Sequence, residues 1–430
     1  MAGSQADPTR ARDFATEVVF RLKNAGFTAF WAGGCVRDDL LGRTPADYDV
    51  ATSARPEEVR DVFGRRRTLA VGAAFGVITV LGPRAAGQVE VATFRTDEAY
   101  TDGRHPAGVA FSTPEFDAQR RDFTINGLFL DPGTGQVHDY VGGQADLAAG
   151  IVRAIGVPAM RFGEDHLRML RAVRFAAAFG FALDPATRAA IEAMRHLVTS
   201  VSAERIAAEL RAMVTRPGRR RALALLDETG LAREVLPAVA PPVGQGQEQA
   251  AAAARWEEAA AIIEALDEPE LGQALAALFA EGGAEPLRHA AGRLRLANRD
   301  AKLAVWLLDA VAAIGQAAAG ELAARPWSQV QPWLAHDDAF LLADLLRARA
   351  DAGQGDAAAA AWVTAQLERP RVEIDPPPLL TGRDLMAAGV PQGKAVGKML
   401  AALRAKQLDG EIVSREAAVE WVSRTGFSLS

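Results

Sequence analysis

Asp47 and Asp49, one residue apart in "DYDVAT", are of a type and spacing that could do chemistry. In a strand, residues i and i+2 share a face, so two such acids repel unless a cation lies between them. Magnesium takes oxygen ligands, keeps several waters and bridges to substrate phosphates. A solvated turn carrying two acids is the alternative. The preceding stretch, "FWAGGCVRDDLLG", favours the cation. Gly33 and Gly34 let backbone N–H groups approach a phosphate, and the start of the helix that follows favours an anion. Arg37 adds a forked donor suited to phosphate oxygens. Asp38 reads as a structural partner for the turn or the helix start.

Three further clusters extend this chemistry. Glu90 stands among apolar strand residues in "QVEVATFR", which puts it either at a solvated edge or beside the metal; Arg95 either contacts substrate or caps that strand. In "RRDFTINGLF", Arg121 is a candidate for a triphosphate, and Asp122 or Asn126 for the ribose; a salt-bridged strand entry is the other reading. In "EDHLRMLRAVRF", Asp165 and Arg168 are three residues apart, neighbours on one helix face, with Arg171 and Arg174 continuing it. A carboxylate and a guanidinium side by side can read the edge of a nucleobase, and the other arginines can hold phosphates. A solvated amphipathic helix explains the same pattern.

The elements that must position these residues follow from periodicity. Residues 12–25 show helical spacing up to Gly26, and "FTAFWAGG" reads as a buried strand ending in a glycine turn. "VRDDLLG" and "RPEEVRDVFG" are helices, the second with proline and acids in its first turn. "DYDVAT", "FGVITVLGP" and "GQVEVATFR" are strands, the last two joined at Gly82–Gly87. "DFTINGLFLDPGTGQVHDY" reads as a strand pair. From Arg161 onward the periodicity is helical, with breaks at "LPAVAPPVGQGQEQ" and "ERPRVEIDPPPLL". The fold class is therefore α+β, a mixed head followed by a long helical remainder.

The 430 residues exceed one compact core, and 49% hydrophobic residues place the chain among globular proteins. The net charge of −6 does not advertise nucleic-acid binding, although a basic groove can sit on an acidic body. The single cysteine, Cys35, excludes an internal disulfide and fits a reducing compartment. With no signal core and no long apolar run, a cytoplasmic location is expected. No G-x-x-x-x-G-K-[ST] pattern is present, which argues against a P-loop NTPase. His138–Asp139 and His336–Asp337 are isolated pairs, so no phosphohydrolase activity is expected. Lys394, Lys398, Arg404 and Lys406 lie on or near one helix and can meet RNA phosphates without reading sequence, or simply be solvated.

"GGCVRDDLLG", "DYD", "RRDFTING", "EDHLRMLRAVRF" and "SAERIAAELRAMV" occur in the order and approximate spacing of the bacterial class II tRNA nucleotidyltransferase and poly(A) polymerase family, which the chain resembles over roughly residues 28–215. Residues 379–412 resemble its tail segment. The resemblance implies a polymerase-β-like nucleotidyltransferase head (1–155), then an all-helical neck (156–222), body (223–372) and tail (373–430). It implies template-independent transfer of nucleotides from CTP or ATP to a tRNA 3′-hydroxyl, with release of pyrophosphate. Asp47 and Asp49 would hold catalytic Mg2+, and Glu90 is similar to the family's third strand carboxylate. Gly34, Arg37 and Arg121 would contact the nucleotide, Asp165 and Arg168 would template its base, and Arg171 and Arg174 would support it. Residues 94–111, with Asp102 and Arg104, resemble a loop of CCA-adding members that helps the switch from C to A. Neither a membrane nor DNA is expected as a partner. Addition of A only, of CC only or of poly(A), a small-molecule acceptor, and a silent RNA-binding protein are the alternatives.

Overall fold

The computed structural model describes residues 7–97, 109–244 and 246–425. Asp102 and Arg104 lie outside the described residues. The chain forms two compact units, residues 1–213 with 221–237, and residues 214–220 with 238–430.

In the first unit, α1 (Pro8–Asn24) starts at Asp7, whose carboxylate accepts the Thr9 and Arg10 N–H groups, and buries Phe14, Val18 and Leu22, one turn apart. It leads into β1 (Ala29–Ala32), α2 (Gly34–Leu40), β2 (Asp49–Thr52) and α3 (Pro56–Phe63). In α3, Glu58 caps the Arg55 N–H at 2.7 Å, and Val59 and Phe63 face the core. Next come β3 (Thr68–Leu69), β4 (Val77–Leu81), β5 (Gln88–Thr93), β6 (Arg95–Asp97), β7 (Val109–Phe111), α4 (Pro114–Gln119), β8 (Leu128–Leu130) and β9 (Val137–Asp139). Seven of these strands form one sheet in the order β3-β4-β5-β2-β1-β8-β9; β2 and β5 are parallel and the other pairs antiparallel. Alternation along the strands gives the sheet two faces. One carries Trp31, Val50, Ile78, Val80, Val89 and Val91 and packs under α1 and α3. The other carries Phe30, Ala51, Phe94 and Phe129.

Two local expectations are corrected. The strand expected through "DFTING" is a 3-10 turn at Thr124–Asn126, and β8 begins only at Leu128. Local polar bonds favour the turn: the Asn126 amide donates to Asp122 at 3.0 Å and the Thr124 N–H donates to Arg153 O at 3.0 Å. The helix expected through "EDHLRMLRAVRF" is two helices, α5 being Gly143–Ala149, α6 Pro158–Glu164 and α7 Arg168–Phe179. Asp165 breaks the pair: its backbone is extended (φ −151°, ψ 104°) and its carboxylate accepts the Leu167 N–H at 3.1 Å. Asp165 and Arg168 therefore do not share a helix face. The unit continues through α8 (Pro185–Met194) and α9 (Ala203–Thr215).

The second unit is helical from Gln247–Ala265 to Arg415–Thr425. Its C-terminal part has a small core of its own, in which Leu380, Leu385, Met399, Leu403 and Val422 are buried together.

Phe129, fully buried, meets Phe94 edge-on with ring centres 5.9 Å apart. Phe129→Ala is expected to lower unfolding stability by about 3–5 kcal/mol in urea titrations.

Candidate active site

The parallel pairing of β2 and β5 sets Asp49 directly beside Glu90. Register partners share a face, so both acids stand on the face opposite α1 and α3. Asp47 lies two residues ahead of Asp49, in the bend before β2 rather than within a strand, and is exposed. Among the described residues, none of these three carboxylates forms a salt bridge, in a chain with 48 basic residues. Asp49 is open to solvent at its rim, yet desolvation by the surrounding protein, then the charges of Asp47 and Glu90, push its pKa up to about 6; Arg121 pulls the other way. Among the described residues, no three His, Cys, Asp or Glu side chains close into a ready-made metal cage. Magnesium does not need one, since one or two carboxylates plus waters and substrate phosphates suffice. Uncompensated acids with no protein cation fit that donor set.

Beside them, the turn after β1 is held by glycine chemistry. Gly33 has φ +75°, and a Cβ there would stand 2.7 Å from Arg121 Nη1. Arg121 can therefore lie over the turn only because the side chain is missing. Its guanidinium donates to Asp117 Oδ2 (3.2 Å) and to the Asn126 carbonyl (3.3 Å). Asp117 is 1% exposed and also receives Arg120 at 2.7 Å. Arg37, on α2, is 7% exposed. It donates to Asn126 Oδ1 (2.7 Å) and Asp38 Oδ1 (2.8 Å) and lies 4.5 Å over the Phe179 ring. Its fork thus faces protein, and Asp38 is its partner. Cys35 is buried beneath, its thiol pushed up to about 12 by burial, and it donates to the backbone carbonyls of Ala32 and Asp49.

Asp122 anchors the next layer. It accepts the Asn126 amide and both Nε (2.9 Å) and Nη2 (2.7 Å) of Arg171. Burial alone would raise its pKa, but Arg171 and the Asn126 bond outweigh it and bring it down to about 2. Asp38, Arg37, Asn126, Asp122 and Arg171 are thus one chain of contacts running from α2 to α7. Asp122 and Asn126, expected at a ribose, hold arginines here.

The two residues expected to read a base are each tied elsewhere. Asp165 is gripped by Arg205 of α9 through both oxygens (3.2 and 2.7 Å), and Arg168 meets Glu164 at 2.6 Å. Arg168 Nη2 also reaches the Arg120 carbonyl at 3.4 Å, which brings α7 to the segment carrying Arg121. Arg174 pairs with Glu209 at 2.6 Å. Arg171 and Arg174, expected free for phosphate, are thus neutralised by Asp122 and Glu209. Asp117, Glu164, Arg205 and Glu209 escaped the sequence reading. The signal was there for two of them: Arg205 and Glu209 are four apart in "SAERIAAELRAMV", on one face of a helix.

In the second unit, Lys394 and Lys398 are exposed on the helix Lys394–Leu408. Arg404 is tied to Asp375 (2.6 Å) and the Pro376 carbonyl (2.6 Å), and Lys406 pairs with Glu411. Of the four tail cations, only the two lysines are left facing solvent without a bond among the described residues.

Residues 29–153 match the poly A polymerase head domain, and residues 180–241 match the probable RNA and SrmB-binding site of polymerase A. A curated CCA-adding enzyme of Geobacillus stearothermophilus is 42% identical over 243 residues, 56% of this chain and 58% of that protein. One from Streptococcus pneumoniae (strain G54) is 41% identical over 216 residues, 50% and 53%. The chain thus spans little more than half the length of the curated relatives it matches. The crystal structure of the Bacillus stearothermophilus CCA-adding enzyme in complex with CTP superposes with a TM-score of 0.76 at 29% identity, covering 96% of this chain and 97% of that one. The Thermotoga maritima CCA-adding enzyme complexed with tRNA shares the fold (TM-score 0.63, 19% identity, 98% and 96% covered). Over the matched residues the chain is similar to the tRNA nucleotidyltransferase and poly(A) polymerase family, and it has the fold of the CCA-adding enzymes, a polymerase-β-like head followed by helical regions. Members of this family use divalent metal ions.

Two outcomes follow from the charges. The Asp122 carboxylate stabilises the fold above about pH 4, and that stability is lost as pH falls toward 2. Asp122→Asn is expected to lower stability by about 3 kcal/mol at pH 7 in urea melts and to flatten that acid limb. Asp49 has the opposite sign: the metal-free fold holds a proton that the unfolded chain releases, so stability falls as pH rises from about 4 to about 6. Asp49→Asn is expected to raise the Tm of metal-free protein at pH 7.5 and to leave it near wild type at pH 4.5.

Proposed function

We propose that this protein is a template-independent CCA-adding tRNA nucleotidyltransferase that transfers CMP and AMP from CTP and ATP to a tRNA 3′ end and releases pyrophosphate. The observation that carries the reading is the register of β2 and β5, which sets Asp49 against Glu90 with Asp47 at hand and, among the described residues, with no cation paired to them. In the transfer, the 3′-hydroxyl oxygen bonds to the α-phosphorus, the α–β phosphoanhydride bond breaks, and pyrophosphate leaves. Such chemistry asks the protein for positioning and charge neutralisation rather than a nucleophile. Asp47 and Asp49 would hold Mg2+, which, when bound, lowers the pKa of the attacking hydroxyl and neutralises the leaving oxygen. Glu90 adds a third carboxylate on the same face. Gly33, Gly34 and Arg121 orient the triphosphate, and Arg37, Asp122 and Asn126 hold that layer in place. Asp165 and Arg168 read the base, Arg205 and Glu164 holding them until it arrives. Arg171 and Arg174 support the nucleotide from α7.

In this reading the head ends near 155, the neck near 222 and the body near 372, and the tail lysines Lys394 and Lys398, with Arg404 and Lys406 beside them, meet RNA phosphates. No helix among the described residues is long and apolar enough to cross a membrane.

Purified protein, tRNA lacking CCA and labelled CTP and ATP test the proposal. Stepwise addition of C, C and A is expected, and Asp47→Ala is expected to slow it by at least ~10³-fold, about 4 kcal/mol of barrier. Incorporation of ATP alone, onto tRNA already ending in CC, would replace the assignment with an A-adding one.

A further inference from the structure

We infer that the outer half of the catalytic sheet face, from Glu90 to the edge strand β3, is the track for the acceptor's single-stranded 3′ end, and that Arg65, Arg66 and Arg67 hold its phosphates. This rests on the activity proposed above. The register carries it: Asp49 pairs with Glu90, Glu90 with Thr79 and Thr79 with Leu69, so these four side chains form one row on one face. The opposite face is roofed by α1 and α3. Among the described residues the catalytic face carries no roof here: Leu69 is 45% exposed, and Val71 and Phe75, in the turn between β3 and β4, are 95% and 50% exposed. Apolar side chains beside a row of polar ones suit bases and riboses better than open water.

At the far end of that row the charge changes sign. Arg65–Arg67 form a 3-10 turn between α3 and β3, and all three are exposed. Arg65 has one loose pairing, 3.8 Å from Glu57; Arg67 touches the Leu81 carbonyl at 3.5 Å; Arg66 makes no bond among the described residues. Arg121, Arg168, Arg171, Arg174 and Arg205, by contrast, are closely paired. Three loosely held arginines in a chain of net charge −6 match a polyanion. From β2 to β3 is three strand spacings, about 14 Å, which a stacked strand at ~3.4 Å per nucleotide crosses in about four nucleotides. The track therefore ends on the carboxylates, where the 3′-hydroxyl must arrive.

The test uses the full chain and a hairpin RNA with a single-stranded 3′ end of four nucleotides lacking the terminal A. Affinity is measured from 50 to 300 mM salt, with steady-state KM for the RNA and for ATP. Replacing Arg65, Arg66 and Arg67 together by Ala is expected to cut the slope of log K against log salt by about 2, at ~0.7 per phosphate lost. RNA KM should rise at least tenfold, with ATP KM and kcat within twofold. Replacing all three by Lys is expected to keep most of the slope, and matched melting temperatures show that the variants are folded. An unchanged slope and RNA KM in the Ala variant, or equal losses in the Ala and Lys variants, would overturn the inference. Wild-type protein that binds the hairpin but adds no nucleotide would remove the proposed activity, while the salt slope would still decide the surface.

Discussion

Everything around this site answers one electrostatic constraint. Strand pairing sets Asp49 beside Glu90 on one sheet face, Asp47 follows from the bend just before β2, and among the described residues no counter-charge is in direct contact with them. Like charges on adjacent positions of a sheet are unfavourable, and burial first, then the charges of Asp47 and Glu90, raise the Asp49 pKa. The arrangement is stable at neutral pH because seven strands and a buried layer under α1 and α3 leave β2 and β5 no freedom to part. In the proposed function the site is held ready for a cation instead of being closed around one.

The arginines are arranged on the opposite logic. Those next to the acids are braced before any ligand arrives: Arg121 by Asp117, Arg37 by Asp38 and Asn126, Arg171 by Asp122. Charge-assisted pairs of this kind fix geometry more than they add stability. The glycine at 33 belongs to the same device, since it makes the room in which Arg121 lies across the turn. Asp165 and Arg168 sit where α6 and α7 meet; in the proposed function a base edge would have to compete with Arg205 and Glu164 for the same atoms.

Much of this was legible in the sequence. Period-two patterns around Val50, Val80 and Val91, and the glycines at 33 and 34, located the strands and the turn that carry the site. The D-x-D pair and Glu90 were legible as types, and one of the two readings of Glu90 put it beside the metal, but the pairing that brings it there was not legible. Glu90 lies 41 residues beyond Asp49, and only the parallel pairing of β2 with β5 makes them neighbours. The break at Asp165 was hidden because "EDHLRMLRAVRF" keeps helical spacing on both sides, while an aspartate's bond to its own backbone decides the local geometry. Side-chain partners were the least legible: nothing in local spacing tells that Arg171 belongs to Asp122 or Asp165 to Arg205, 49 and 40 residues away.

The central claim is that Asp47, Asp49 and Glu90 form a single divalent-cation site. Manganese binding followed by electron paramagnetic resonance tests it most directly, with wild type and Asp49→Asn compared at pH 7.5 and pH 5. The account predicts one site in the wild type at pH 7.5 that weakens about tenfold or more at pH 5, as protons compete for Asp49. In Asp49→Asn it predicts weak binding at both values. Manganese bound equally by both proteins, with no dependence on pH, would contradict it.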